Sequence, residues 1–394
     1  MPEGSTMAAL APRLRAVRKR RGLTQRELAR LAGVSFSLVS KLEQGVVEGT
    51  RLETVRKLAV ALRVSTTDLV GGAGDTEETA EQPYPDLWEP TRRALLGQVP
   101  RSDEAPTVNG VRRGLADLKP LLADNRYTDI ATVLPTLLAD AEALNGAGRS
   151  VRARVLNTTG WILTQTRQFD IAEPTLHQAM DTADDRLDAA AAVNTLVWLH
   201  LRQGHLDEAR RLATRWADDI EPRFSRATTS ELTLWGRLLL GVSNAAIRDN
   251  RPGEAEDSIT LARAAATRIG HEAVSDTSTT RTFGPVTVAM IRAENAAIMD
   301  QPDMVLTIAE RIPQTVLHAH SASRNRHRLD VASALVATRR SAEALAVLQD
   351  LARIAPEWLP AQRYARDILG RLLNQRRTLT VEMRQLADMV GLAY

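Results

Sequence analysis

A polar joint that returns six times along the chain limits its fold more than any other feature. Asn125-Arg126-Tyr127-Thr128-Asp129-Ile130-Ala131, Arg167-Gln168-Phe169-Asp170-Ile171-Ala172 and Gln203-Gly204-His205-Leu206-Asp207-Glu208-Ala209 are its first three copies. Asn250-Arg251-Pro252-Gly253-Glu254-Ala255, Gln301-Pro302-Asp303-Met304-Val305 and Arg340-Ser341-Ala342-Glu343-Ala344 follow, the small residues that close the joints standing 41, 37, 46, 50 and 39 positions apart. Between joints the sequence reads as one long helix after another, with almost no strand signal. A pair of helices joined by a polar turn cannot bury its apolar face alone, so copies must stack and share one core. Ile312-Pro313 and Ala355-Pro356 close helices as a missing backbone N–H requires.

The first seventy residues obey a different rule. They hold 13 Lys and Arg against 6 Asp and Glu, whereas the remainder is mildly acidic, which suits a head that meets a polyanion. Helix signals are written out. A first helix runs from about Ala8 to Arg21 with Leu14 and Val17 inward and Gly22 as its stop. Thr24-Gln25-Arg26-Glu27 is a capping box for a second helix carrying Leu28, Ala29 and Ala32. Ser35 caps a third that reaches Gln44, with Val39 and Leu42 inward and Gly45 beyond. Thr50-Arg51-Leu52-Glu53 predicts the same box for a fourth, and Ser65-Thr66-Thr67-Asp68 a weaker one for a short fifth. Helices this short need their caps. The tight Ala32-Gly33-Val34 turn is what a helix-turn-helix requires. The third helix presents Phe36, Ser37, Ser40 and Lys41 outward, a carboxylate-free face that can enter a major groove.

These residues carry a resemblance. Gly22-Leu23-Thr24-Gln25, Leu28-Ala29, Gly33-Val34-Ser35 and Lys41-Leu42-Glu43-Gln44-Gly45 look like the Cro/cI-type (XRE) helix-turn-helix family from about Arg13 to Leu69. The resemblance implies that Gln25 binds phosphate near the second helix's N-terminus and that Ser35, Phe36, Ser37 and Lys41 occupy the recognition positions. It also implies that Arg18 pairs with Glu43 in a buried structural bridge. Phe36 departs from the family, which often has a long polar or basic side chain there. It could pack on a thymine methyl, or serve as a core or interface residue and leave base reading to Ser37 and Lys41.

From Gly71 to about Pro106 helical periodicity fades into a glycine run, an acidic run and prolines. Within it, Asp86 to Gly97 contains Leu87, Trp88, Leu95 and Leu96, enough for a short docking helix. The repeats beyond resemble the tetratricopeptide (TPR) superfamily with longer helices. The expected fold is therefore all-α: a five-helix helix-turn-helix domain over 7–70, a linker with a short helix over 71–106, and a TPR-like α-solenoid over 107–394.

One repeat within the solenoid points to a site. Leu156-Asn157-Thr158-x-x-Trp161 returns 37 residues later as Val193-Asn194-Thr195-x-x-Trp198. Asn and Trp at i and i+4 share a helical face, and stacked repeats line their first helices along the concave wall. Arg237, Asn244 and Arg248 stand at comparable offsets in the next helix. The seven residues Asn157, Trp161, Asn194, Trp198, Arg237, Asn244 and Arg248 are thus the candidate effector-binding set; the competing reading makes both tryptophans oversized core residues.

Catalytic chemistry has no signature here. A phosphate-binding glycine loop, a His-Glu-x-x-His helix and a nucleophile elbow are all missing. Cysteine is absent altogether, which excludes disulfides and thiolate metal sites. His318, His320 and His327 stand among Arg324, Arg326 and Arg328, and read as a basic surface cluster rather than a metal site. Met1 to Pro12 lacks the apolar core of a signal peptide, and no stretch is long enough to span a membrane, so the cytoplasm is expected. No enzyme, cofactor or metal is expected. Helix-turn-helix heads on TPR-like bodies resemble the peptide-sensing regulators of Gram-positive bacteria, and the Arg-rich composition suggests an actinobacterial version. The expectation is a homodimeric, double-stranded-DNA-binding transcriptional regulator whose body senses a peptide or small signalling molecule, as in quorum sensing. The alternative is a DNA-binding adaptor whose body docks a protein partner.

Overall fold

The computed structural model describes residues 7–46, 50–70, 86–98, 105–144, 146–275, 281–313, 321–375 and 379–393. Five helices form the head: α1 (Met7–Arg20), α2 (Gln25–Ala32), α3 (Phe36–Gln44), α4 (Leu52–Leu62) and α5 (Thr66–Val70). Leu14, Leu28, Val39, Leu58, Leu62 and Leu69 are fully buried between them. The Thr24–Glu27 box is made in both directions, and the Ser35 hydroxyl accepts the Leu38 N–H. Gly33 and Gly45 close α2 and α3 at φ 65° and 69°, where a side chain would be strained. Ser65 and Asp68 also bond reciprocally, at 3.3 and 3.0 Å.

The box expected at Thr50–Glu53 does not form. Arg51 is the N-cap of α4, one residue later than the box requires, so Glu53 falls at the wrong position of the first turn and no side chain caps this helix. The Thr50 hydroxyl is left buried without a partner among the described residues.

The glycine and acidic runs of the linker, 71–85, lie outside the described residues. Its docking helix is α6 (Glu89–Leu95), preceded by a 3-10 turn over Asp86–Trp88. Trp88 is wholly buried, α6 packs on the second helix of the body, and Arg92 bridges to Asp170 at 2.5 Å.

The body is a stack of helix pairs: α7 (Val108–Ala123) with α8 (Tyr127–Glu142), α9 (Arg149–Gln165) with α10 (Phe169–Thr182), and α11 (Arg186–Gln203) with α12 (Leu206–Asp219). Then come α13 (Thr229–Arg248) with α14 (Pro252–Ile269), α15 (Pro285–Ile298) with α16 (Pro302–Glu310), α17 (Ala322–Ala337) with α18 (Ser341–Ile354), and α19 (Arg363–Leu373) with α20 (Val381–Met389). Every joint of the first six pairs has the same backbone. One left-handed residue sits at Asn125, Arg167, Gly204, Asn250, Asp300 and Arg339, with φ of 55, 64, 83, 58, 60 and 62°. The N–H of the next residue reaches back to the carbonyl five positions earlier, as in Arg126 to Leu121 and Arg251 to Ala246. Only Gly204 is free of a Cβ, so the other five joints each cost about 1 kcal/mol, which stacking offsets.

Five residues after the left-handed position stand Ile130, Ala172, Ala209, Ala255, Val305 and Ala344, none more than 1% exposed. In the first repeat the packing position therefore belongs to Ile130 and not to Ala131, which the sequence pattern picks out. The long spacing of 50 between the fourth and fifth joints has a structural cause. A small hairpin, β1 (Ala273–Val274) paired antiparallel with β2 (Thr282–Phe283), is inserted between α14 and α15. Phe283 is fully buried over α13, where a Cβ on Gly236 would lie 2.0 Å from its ring.

The first helices of successive pairs pack side by side from α7 to α19 and make the inner wall. The superhelix closes on its own start: Glu357 accepts from the N–H and the hydroxyl of Thr128, at 2.9 and 3.2 Å. Among the described residues no helix is long and apolar enough to cross a membrane.

Candidate nucleic-acid interface and central cavity

The outward face of α3 is open to solvent. Phe36 is 45% exposed, Ser37 and Lys41 are exposed, and Ser40 is half-buried with its hydroxyl accepting from Gln44. Of the two roles left open for Phe36, membership of the core is excluded; its ring lies under the Arg26 guanidinium at 5.5 Å. Ser35 spends its hydroxyl on the cap of α3.

Behind this face, Arg18 and Glu43 make a two-pronged pair, Nε to Oε1 at 2.5 Å and Nη2 to Oε2 at 2.8 Å. Arg18 Nη1 also donates to the Leu23 carbonyl at 2.7 Å. Burial alone would push the Glu43 carboxyl up, but hydrogen bonds from Arg18 and Gln25 outweigh it and hold the group below the usual carboxylate range. The Gln25 side chain is therefore tied to Glu43, at 2.8 Å, at the entrance of α2.

The opposite side of the head rests on the body. Arg56 of α4 donates to the Ile247 and Ile298 carbonyls at 3.3 and 2.5 Å, so one guanidinium caps the C-terminal ends of α13 and α15. Thr66 donates to the Arg248 carbonyl at 2.9 Å. The backbone and hydroxyl of Thr67 both donate to Asp249 Oδ1, at 2.8 and 2.5 Å. This docking leaves α3 uncovered.

Within the wall of first helices lies a cavity of about 420 Å³. Six of the seven residues proposed from the sequence line it: Trp161, Asn194, Trp198, Arg237, Asn244 and Arg248. Trp161 and Trp198 stack with ring centroids 6.4 Å apart. Asn157 is not in the lining. Its side-chain oxygen accepts from Thr195 at 2.8 Å, which joins one Asn-Thr motif to the next and uses the amide structurally.

The cavity also holds groups that the sequence did not bring forward. Glu294 sits between Arg248 at 2.5 Å and Arg326 at 3.3 Å. Asp330 lies 3.5 Å from Arg326 and is buried, which pushes its carboxyl up to about 7 against the pull of the arginines. Arg326 and His327 thus face this cavity instead of forming a surface cluster, and burial drives His327 down to about 4. His318 and His320 lie outside the described residues. Arg281, just before β2, enters from the hairpin with its guanidinium 5.4 Å from the Trp198 ring centroid. Its position follows from the β1–β2 pairing, which no helical period could show.

At the α11–α12 joint, His200, His205 and Glu208 bring possible ligand atoms within 4.8 Å of one another. The joint itself explains the approach, since the His205 N–H bonds the His200 carbonyl across Gly204.

Residues 14–69 match the family described as Helix-turn-helix. The chain is 37% identical over 79 residues to the HTH-type transcriptional repressor RghR of Bacillus subtilis (strain 168), a stretch that is 20% of this chain and 58% of that protein. It is 33% identical over 76 residues to the uncharacterized HTH-type transcriptional regulator RghRB of the same organism, covering 19% of this chain and 55% of the relative. The match thus spans little more than half the length of these relatives. Among solved structures, Bacillus thuringiensis PlcR in complex with the peptide PapR7 and DNA aligns at a TM-score of 0.38 and 14% identity, over 77% of this chain and 95% of that one.

Proposed function

We propose that this chain, whose head is a helix-turn-helix of the Cro/cI (XRE) type, is a DNA-binding transcriptional regulator switched by an effector in the central cavity. The uncovered face of α3 carries the reading. Lys41, Ser37 and Phe36 project from a helix fixed by the Arg18–Glu43 pair, while the head's contacts with the body are made by α4 and α5. One recognition helix reads few base pairs, so a homodimer on half-sites about 34 Å apart is the working unit.

Arg248 supplies the link between the two sites. Its side chain reaches into the cavity and holds Glu294, while its own carbonyl accepts from Thr66 of the head. A peptide or small signalling molecule that displaces this guanidinium would disturb the end of α13 on which the head sits. Such a ligand acts only through the difference between its affinities for the two head positions. No catalytic step is part of this reading.

The test is selection of duplexes from a random pool by the full chain at low salt, followed by titration of the selected sequence. Lys41→Ala should weaken binding and relax sequence preference, whereas Gln25→Ala should weaken binding with preference kept. Retention of no duplex at low salt would remove the reading.

A further inference from the structure

The cavity wall is unevenly charged. Lys119, Arg202, Arg237, Arg248, Arg281 and Arg326 line it, against two acids, Glu294 and Asp330. Both acids are already engaged with the Arg248–Arg326 side. At the other side, Arg237 and Arg281 have no ion pair among the described residues. Arg237 is only 7% exposed and spends one nitrogen on the Thr282 carbonyl at 2.7 Å; its Nε is enclosed without a partner. Arg281 is half-buried, lies against Trp198, and has its Nη1 enclosed without a partner among the described residues.

The carboxylate whose charge favours Arg237, Glu272, is held by other donors. Glu272 accepts from the backbone of Val286 and Thr287 at 2.7 and 3.2 Å and from the Thr287 hydroxyl at 2.5 Å, which fixes it at the N-terminus of α15. Burial lowers Arg237 to about 10 against the pull of Glu272, and burial together with the charge of Arg237 holds Arg281 well below its ordinary value. A guanidinium drawn back from water with donors unmatched is costly, and two such groups lining one cavity form a place suited to an acid group.

Resting on the effector reading above, we propose that the cavity takes a small amphipathic anion. Its acid group sits between the Arg237 and Arg281 guanidiniums, and its apolar body lies along Leu240, Met290 and Ile291. These three side chains line the same space, and a volume of about 420 Å³ suits a compact molecule. Carboxylate, sulfonate and phosphate monoester share the chemistry that two forked donors recognise.

The experiment uses two fluorescent probes that differ by one group, 8-anilinonaphthalene-1-sulfonate and the neutral N-phenyl-1-naphthylamine, titrated onto the full chain. The sulfonate should bind at one site per chain and roughly tenfold or more tighter than the neutral probe. Arg237→Gln and Arg281→Met should each erase that preference while leaving the neutral probe's affinity unchanged. Equal binding of the two probes to the wild-type chain overturns the proposal without any variant being needed. So does a double variant that keeps the sulfonate preference, which would place the probe on a surface patch. Neither measurement involves DNA. A charge-selective site whose filling leaves DNA affinity unaltered removes the switch and keeps the anion site, whereas a probe-indifferent cavity in a ligand-responsive protein does the reverse.

Discussion

Arg18 in the head and Arg281 in the body are both arginines drawn back from water, yet their surroundings differ completely. Arg18 meets both oxygens of Glu43 and a backbone carbonyl, so its donors are used and its position is fixed. Arg281 meets the face of Trp198 and the charge of Arg237. A satisfied buried charge holds a fold in register, whereas an unsatisfied one is an expense the fold carries for another purpose. The head uses its buried cation to orient α3, whereas the anion site proposed in the body rests on a cation with no ion pair among the described residues.

The largest test of this contrast is Glu43→Ala. Arg18 would be left buried and unpaired, at a cost of about 3 kcal/mol or more. Calorimetry should show the head melting ahead of the body; one unchanged transition would mean that the pair holds nothing together.

A second test is pH. Glu43 is held below its ordinary value when folded, so its contribution is present above the unfolded value of about 4.5 and disappears as pH falls through the folded value. Asp330 has the opposite sign. Its folded value is raised, chiefly by burial, to about 7, so the body is favoured while Asp330 is protonated and loses stability as pH rises from about 4 to about 7. Head and body transitions followed between pH 4 and pH 8 should diverge, and Asp330→Asn should flatten the body's curve. A body transition of the variant as steep in pH as the wild type's would assign the slope to another group.

The third effect is smaller and of unusual sign. Arg281→Met removes a cation that has no ion pair among the described residues, so it should stabilise the body by about 1 kcal/mol, a rise of about 2 °C in melting temperature. A fall would make Arg281 a structural residue like Arg18 and erase the distinction.

The sequence carries one of these two regions far better than the other. The head is legible because its signals are local: Thr24 with Glu27, Gly33, Ser35 and Gly45 each fix a turn within a few residues. The one failure there, at Thr50, is a register shift of a single residue. The stack of repeats is legible for a similar reason, since each joint imposes one left-handed residue and one buried small residue at fixed spacing. The cavity is only half legible. Trp161, Asn194 and Trp198 recur with the repeat and can be paired by counting. Arg281 belongs to an insertion outside the repeat, and Glu294, Arg326 and Asp330 reach the cavity through the closing curvature of the stack. Asn157 shares the motif of Asn194 but turns its amide to Thr195. Arg56 has no local mark at all; its role exists only where the ends of α13 and α15 meet the head.

The most direct measurement is the affinity of the full chain for its selected duplex, with and without a small-molecule extract of the source cells, in the wild type and in the Arg237→Gln, Arg281→Met double variant. The account predicts a severalfold change in wild-type affinity with extract and none in the variant. An equal change in both would place the effector elsewhere, and no change in either would contradict the switch and leave the body as a docking platform for a protein partner.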